Sequence, residues 1–203
     1  MRDGEANKIM DDKKKTIGIL AVQGDFAMHA KMLDRIGVPW KLIKHAEDFA
    51  GIDGLILPGG ETTTMLKFLT EQKIADAITR LASEGKPIFG TCAGAILMAK
   101  EVLNPAQERL GLIDISIERN AYGRQVDSSV QMGECPEISD HPIEMVFIRA
   151  PIIRRVGQSV KVLGRADNLP VLVEQGNLLA ATFHPELTDD QTIHRYFLAK
   201  AGA

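Results

Sequence analysis

The chain has 203 residues, 45% of them hydrophobic and 25% charged, a balance that fits a globular protein long enough to bury a full core. A net charge of −3, from 24 basic and 27 acidic residues dispersed along the sequence, offers no basic patch and argues against nucleic acid as a partner. No apolar run approaches the roughly 20 residues that cross a bilayer, so no membrane is expected, and two cysteines far apart give no disulfide framework, which suits a reducing cytoplasm.

Residues 1–15, MRDGEANKIMDDKKK, are polar, mixed in charge and without the apolar stretch of a secretory signal. They read as a disordered extension or an expression remnant, and residues 16–203 as one domain. Residues 16–22 (TIGILAV) form a continuous apolar run of strand length, as a strand covered on both faces requires. A helix follows, with Asp25 as its expected N-cap and Phe26, His29, Ala30, Leu33 and Ile36 at helical spacing. Residues 40–43 and 54–57 are further strands. This β-α-β order predicts an α/β fold with a right-handed, mostly parallel, flavodoxin-like sheet and helices on both faces.

The third strand ends at Pro58-Gly59-Gly60-Glu61, a helix starts near residues 62–64, and the helical region extends through residues 75–81. Residues 86–98, KPIFGTCAGAILM, then read as a strand, a tight corner and an Ala/Leu/Met-rich helix over 95–100. Gly90-Thr91-Cys92-Ala93-Gly94 has the G-x-S-x-G spacing of a nucleophile elbow with sulfur replacing oxygen. Cys92 at such a bend is either a small buried hydrophobe or a reactive thiol at a helix N-terminus, where unpaired N–H groups favour an anion. Strand ends at Gln23, Gly59-Gly60 and Cys92 should converge on one crevice.

Beyond Glu101 the pattern changes to short strand-like runs at 110–118, 126–132, 143–148, 160–164, 171–174 and 178–182, an antiparallel portion appended to the sheet. A last helix over 189–199 would be capped by Asp189 or Thr188. Of five histidines, His29, His45, His141 and His194 read as structural or exposed. His184 follows a strand directly and precedes Pro185-Glu186, which keeps the chain extended, so that residues 184 and 186 project to one side. That arrangement is either a plain strand-end turn or an imidazole held by a carboxylate. Gly59-Gly60 could supply close-approaching backbone N–H groups to an oxyanion, as could Ala93. No His/Cys/Asp/Glu cluster has ligand spacing, so no metal is expected, and neither a dinucleotide nor a GK[ST] phosphate pattern is present.

Taken together, these parts resemble the triad-type (class I) glutamine amidotransferases, and most closely the glutaminase subunit of pyridoxal 5'-phosphate synthase. The resemblance is carried in order by GILAVQGDF (18–26), GLILPGGETTTM (54–65), KPIFGTCAGAILMAK (86–100), ERNAYGRQVDS (118–128), FIRAP (147–151) and FHPELT (183–188). It implies Cys92 as nucleophile, His184 as base and then acid, and Glu186 as its orienter. It implies Gly60, Glu61, Thr62, Arg119, Ile148 and Arg149 as glutamine contacts, an oxyanion hole near Gly60 and Ala93, and no cofactor. The implied partner is a barrel-shaped synthase subunit that joins the ammonia to pentose and triose phosphates, with Gln23 and nearby strand-end loops as the docking face. Thr62 departs from the family's usual Ser, and the amino-terminal extension is also unlike it. ERNAYGRQVDS with FIRAP speaks against the glutaminase of imidazole glycerol phosphate synthase. The intact Cys/His/Glu set speaks against a non-catalytic binding module, and the FHPE segment against an unrelated cysteine hydrolase.

Overall fold

The structure, a computed structural model, describes residues 14–119 and 128–203. The first half runs β1 (Ile17–Leu20), α1 (Phe26–Ile36), β2 (Trp40–Ile43), β3 (Gly54–Leu57), α2 (Thr62–Glu71), α3 (Ile74–Ser83), β4 (Ile88–Thr91) and α4 (Ala93–Met98). Eight strands follow before the last helix: β5 (Ala99–Leu103), β6 (Ile113–Glu118), β7 (Ser128–Gly133), β8 (Ile143–Ile148), β9 (Ile152–Val156), β10 (Lys161–Ala166), β11 (Leu169–Gln175), β12 (Leu178–Ala181), then α5 (Thr192–Ala201).

The main sheet has the order β10-β11-β12-β4-β3-β1-β2. Its β12-β4-β3-β1-β2 portion is parallel throughout, the 2-1-3-4-5 order of a flavodoxin-like sheet, and β10 and β11 extend it antiparallel. Successive side chains of a strand serve opposite faces. Leu55 and Leu57 pack with Met65, Ile78 and Leu97 of the helices on one face, whereas Ile56 packs with Leu33 of α1 and Phe197 of α5 on the other. That is why these strands read as unbroken apolar runs: both faces are covered. Two smaller sheets, β5-β6-β9 and β7-β8, complete the appended portion. No helix among the described residues is long and apolar enough to cross a membrane.

Several local expectations need correction. The helical region after Glu61 is two helices, because Lys73 takes a left-handed conformation (φ 55°) between them. The helix after Cys92 stops at Met98 rather than at residue 100, since Ala99 turns extended and pairs with Ile113 of β6. Strands β5 and β9 add to the expected set: β9 (IIRRV) has no period-two pattern, and its pairing with β6 is what makes it a strand. Helix α5 begins at Thr192, where Asp190, not Asp189 or Thr188, accepts the Thr192 N–H at 2.7 Å; Asp189 instead pairs with Arg35. Of the extension at 1–15 only Lys14 and Lys15 lie within the described residues, and residues 120–127 of the ERNAYGRQVDS block lie outside them.

Candidate active site

Every parallel strand of the main sheet delivers its carboxyl end to the same edge, and three of these ends build the site. Cys92 sits between β4 and α4 with φ 45° and ψ −101°, a backbone conformation that costs a non-glycine residue about 1–3 kcal/mol. Its N–H donates to the Ala181 carbonyl of β12 at 2.8 Å, which fixes the corner against the neighbouring strand. The elbow closes only because Gly94 has no side chain: a Cβ there would stand 1.9 Å from the Leu57 carbonyl oxygen of β3. We expect Gly94→Ala to lower stability by about 3 kcal/mol or more, because backbone must move to make room. A melting temperature within a degree or two of wild type would refute that reading.

His184 follows β12 and is held by its N–H donating to the Val146 carbonyl at 2.8 Å. The chain beyond it is not extended as expected. Pro185 opens a single 3-10 turn, Pro185–Leu187, while His184 itself keeps the non-helical conformation that a following proline enforces. The turn still brings Glu186 back, and the His184 Nδ1–H donates to Glu186 Oε1 at 2.8 Å. Cys92 and His184 stand just beyond the carboxyl ends of the paired strands β4 and β12, on one edge of the sheet. The ring packs directly on the Gly59 loop, where a Cβ would come within 2.4 Å of its Cε1.

The electrostatics follow from this packing. Burial opposes charge on His184, but its neighbours Cys92 and Glu186 outweigh it, pushing the ring up to about 10. Burial pushes the Glu186 carboxyl up, and His184 partly restrains it. The upward push on His184 favours the protonated ring, which can hand a proton to a departing amine. The second cysteine contrasts with this. Burial, helped by Asp190, pushes the Cys135 thiol up to about 11, which keeps it an inert hydrophobe.

The cleft beside Cys92 is about 270 Å³, suited to an amino acid, and Gly60, Glu61, Thr62, Ala93, Arg119, Ile148 and Arg149 all line it. Most have a describable local setting. Glu61 caps α2, its Oε1 accepting from Thr63 N at 2.9 Å and its Oε2 from Thr64 N at 2.7 Å. Slight desolvation is outweighed by these bonds and the carboxyl falls to about 2, so Glu61 presents a fixed negative charge. The Glu61 N–H donates in turn to Gln23 Oε1 at 3.1 Å, tying the end of β1 to this loop. Thr62 is buried and its hydroxyl donates to Gln107 Oε1 at 2.9 Å, so the hydroxyl shared with Ser is already engaged. The Ile148 carbonyl lies 3.9 Å from Cys92 Sγ, and Arg149 takes a left-handed φ of 44° beside it. Ala93 supplies the first N–H of α4, which has no acceptor within the helix.

The fold also brings in residues that spacing did not reveal. Asp25 makes no side-chain cap to α1; its carboxylate lies 3.7 Å from His184 Nδ1, and with His184 and Glu186 it forms a close cluster of potential ligand atoms. His29 and His194, read as structural or exposed, are fully buried behind Glu186, whereas His45 and His141 are exposed. Pairs so distant in sequence leave no periodic signal; only the apolar neighbours of His29 and His194 on their helices hinted at burial.

A sequence profile described as the SNO glutamine amidotransferase family matches residues 19–202. Pyridoxal 5'-phosphate synthase subunit PdxT of Solibacter usitatus is 52% identical over 191 residues, covering 92% of this chain and 99% of that protein. The protein of the same description from Thermotoga petrophila is 50% identical over 182 residues, covering 90% of this chain and 97% of its own length. A crystal structure of a glutamine amidotransferase superposes with a TM-score of 0.87 at 48% identity, over 92% of this chain and 99% of that one.

Proposed function

Because the chain belongs to the SNO glutamine amidotransferase family, we propose that its cleft hydrolyses L-glutamine with Cys92 as nucleophile, His184 as proton carrier and Glu186 as the group that orients His184. The chain is the glutaminase subunit of a pyridoxal 5'-phosphate synthase, releasing L-glutamate and passing ammonia to a separate synthase subunit. The observation that supports the residue roles is a buried imidazole whose Nδ1 meets a buried carboxylate at 2.8 Å, at the end of the strand that pairs with the one leading into Cys92.

The steps follow from these proposed roles. The Cys92 thiolate adds to the side-chain amide carbon, and the carbonyl oxygen becomes an oxyanion for which the N–H groups of Gly60 and Ala93, both lining the cleft, are the proposed donors. His184 gives its proton to the amide nitrogen, the C–N bond breaks, and ammonia leaves a thioester on Cys92. Neutral His184 then takes a proton from water as the oxygen attacks the thioester; the C–S bond breaks and glutamate departs. Ammonia protonated in bulk water is no nucleophile, so delivery within a complex serves the synthase. Residues 16–203 act as one amidotransferase domain, and two free cysteines fit a cytoplasmic setting.

Arg119 and Glu61 flank the cleft with opposite charges that match the α-carboxylate and α-ammonium of glutamine. We expect Arg119→Ala to raise KM for glutamine about 10–100-fold, the worth of a charge-assisted hydrogen bond, with kcat within a few-fold of wild type. An unchanged KM would remove Arg119 from the substrate site. The function itself is tested by measuring glutamate and ammonia release with and without the synthase subunit; no release under either condition would overturn the reading.

A further inference from the structure

Glu186 uses only one of its oxygens on His184. Oε2 is buried, lacks a hydrogen-bond partner among the described residues, and lies 3.5 Å from His29 Nε2 of α1. His29 Nε2 is also 3.1 Å from Thr91 Oγ1, on the residue just before the nucleophile. On the far side, His29 Nδ1 meets His194 Nε2 of α5 at 3.0 Å, and His194 Nδ1 has no partner among the described residues. Phe89 stands edge-on against both rings, 6.4 and 5.8 Å between centroids, so the pair sits in an apolar wall of β4.

A hydrogen bond between two imidazoles needs one N–H and one lone pair. Burial drives both rings neutral, His194 down to about 3 and His29 well below its usual range, the latter helped by its histidine neighbours. Two tautomer sets satisfy the contact. If His29 donates from Nδ1, its Nε2 lone pair can accept from the Thr91 hydroxyl but also faces the Glu186 carboxylate, which is repulsive, and His194 strands an N–H in an apolar wall. If His194 donates from Nε2, His29 carries its proton on Nε2 and aims it between Thr91 Oγ1 and Glu186 Oε2. Only the second set adds to the binding of the carboxylate.

We propose that His194 and His29 form a neutral imidazole relay whose last N–H holds Glu186, making both histidines positioning residues for His184. The proposal rests on the Cys92–His184–Glu186 reading. The relay keeps a carboxylate buried in an apolar wall charged and aimed, so that His184 stays cationic and in one orientation. The other titratable groups facing His184 and Glu186 are Cys92 at the elbow and Asp25 ahead of α1, while β8 packs the buried apolar Met145 and Phe147 on this side.

The test combines the ring tautomer with steady-state kinetics of the full chain bound to its synthase subunit. Nitrogen-15 NMR of the wild type should show His29 protonated on Nε2 and bare on Nδ1. His29→Leu should lower kcat about 10–100-fold with KM for glutamine within about twofold. Its kcat–pH bell should narrow from both sides, since a carboxylate without its donor protonates at higher pH and an imidazolium facing a weaker charge deprotonates at lower pH. His29→Gln, whose amide N–H falls near the Nε2 position, should restore most of kcat and the bell, whereas the shorter His29→Asn should not. If His29→Leu does not fold, the Gln and Asn variants decide. A proton on His29 Nδ1, or equal kcat and pH profiles for Gln and Asn, overturns the relay. Full activity in Cys92→Ala would instead remove the triad while leaving the tautomer result standing.

Discussion

Cys92→Ala is expected to lower glutamine hydrolysis by about four to six orders of magnitude while the protein remains folded. Alanine keeps the Cβ that the strained corner already accommodates, and the removed sulfur is a single atom facing the cleft, so the loss of stability is about 1 kcal/mol or less. His184, Glu186 and the N–H groups of Gly60 and Ala93 survive the change, and glutamine still binds. What disappears is the atom proposed to form the thioester. Calorimetric titration should therefore find glutamine affinity within a few-fold of wild type in a variant that releases no glutamate. Because the synthase subunit needs ammonia and not glutamine, adding an ammonium salt to the complex should restore pyridoxal phosphate formation. Glutamate release at the wild-type rate, or a failure of ammonium to rescue synthesis in a folded complex, would remove Cys92 as the ammonia-releasing nucleophile.

Local patterns were readable where local physics decides. The strands β1, β3 and β8 and the helix α1 stand near where apolar runs and helical spacing put them, because each buries its own side chains against whatever covers it. The elbow at Cys92 was legible for the same reason, since two glycines four residues apart permit a bend that few other sequences allow. The breaks and additions were not. Lys73 interrupts a run of good helix formers, and β5 exists because Ala99 finds Ile113 across a loop, a contact no window of ten residues contains. At the site, His184 and Glu186 are two residues apart and were found; His29 and His194, 165 positions apart, were not. Asp25 misled in the opposite way, as a residue type that caps helices but here turns its carboxylate to His184.

The other large effect belongs to Glu186→Gln, a substitution that keeps shape and removes charge. In the wild type the carboxylate can only accept, so Nδ1 of His184 must carry the hydrogen and Nε2 is free to exchange a proton with sulfur, amine or water. Glutamine can present its NH₂ instead. The ring then answers with an Nδ1 lone pair and carries its hydrogen on Nε2, where it can no longer act as a base. Even with the amide oxygen turned inward, a neutral partner supports an imidazolium poorly, and His184 would lose much of the upward push that now keeps it cationic. We expect kcat to fall about 10³–10⁴-fold, the scale seen when a triad acid is made an amide, with KM for glutamine little changed. Stability should shift by no more than about 1–2 kcal/mol in either direction, because removing a buried charge relieves desolvation while leaving a polar group to be satisfied. A Gln variant with kcat within tenfold of wild type would mean that His184 does not depend on Glu186 for its tautomer, and a collapse of the melting temperature would assign Glu186 to the fold before the chemistry.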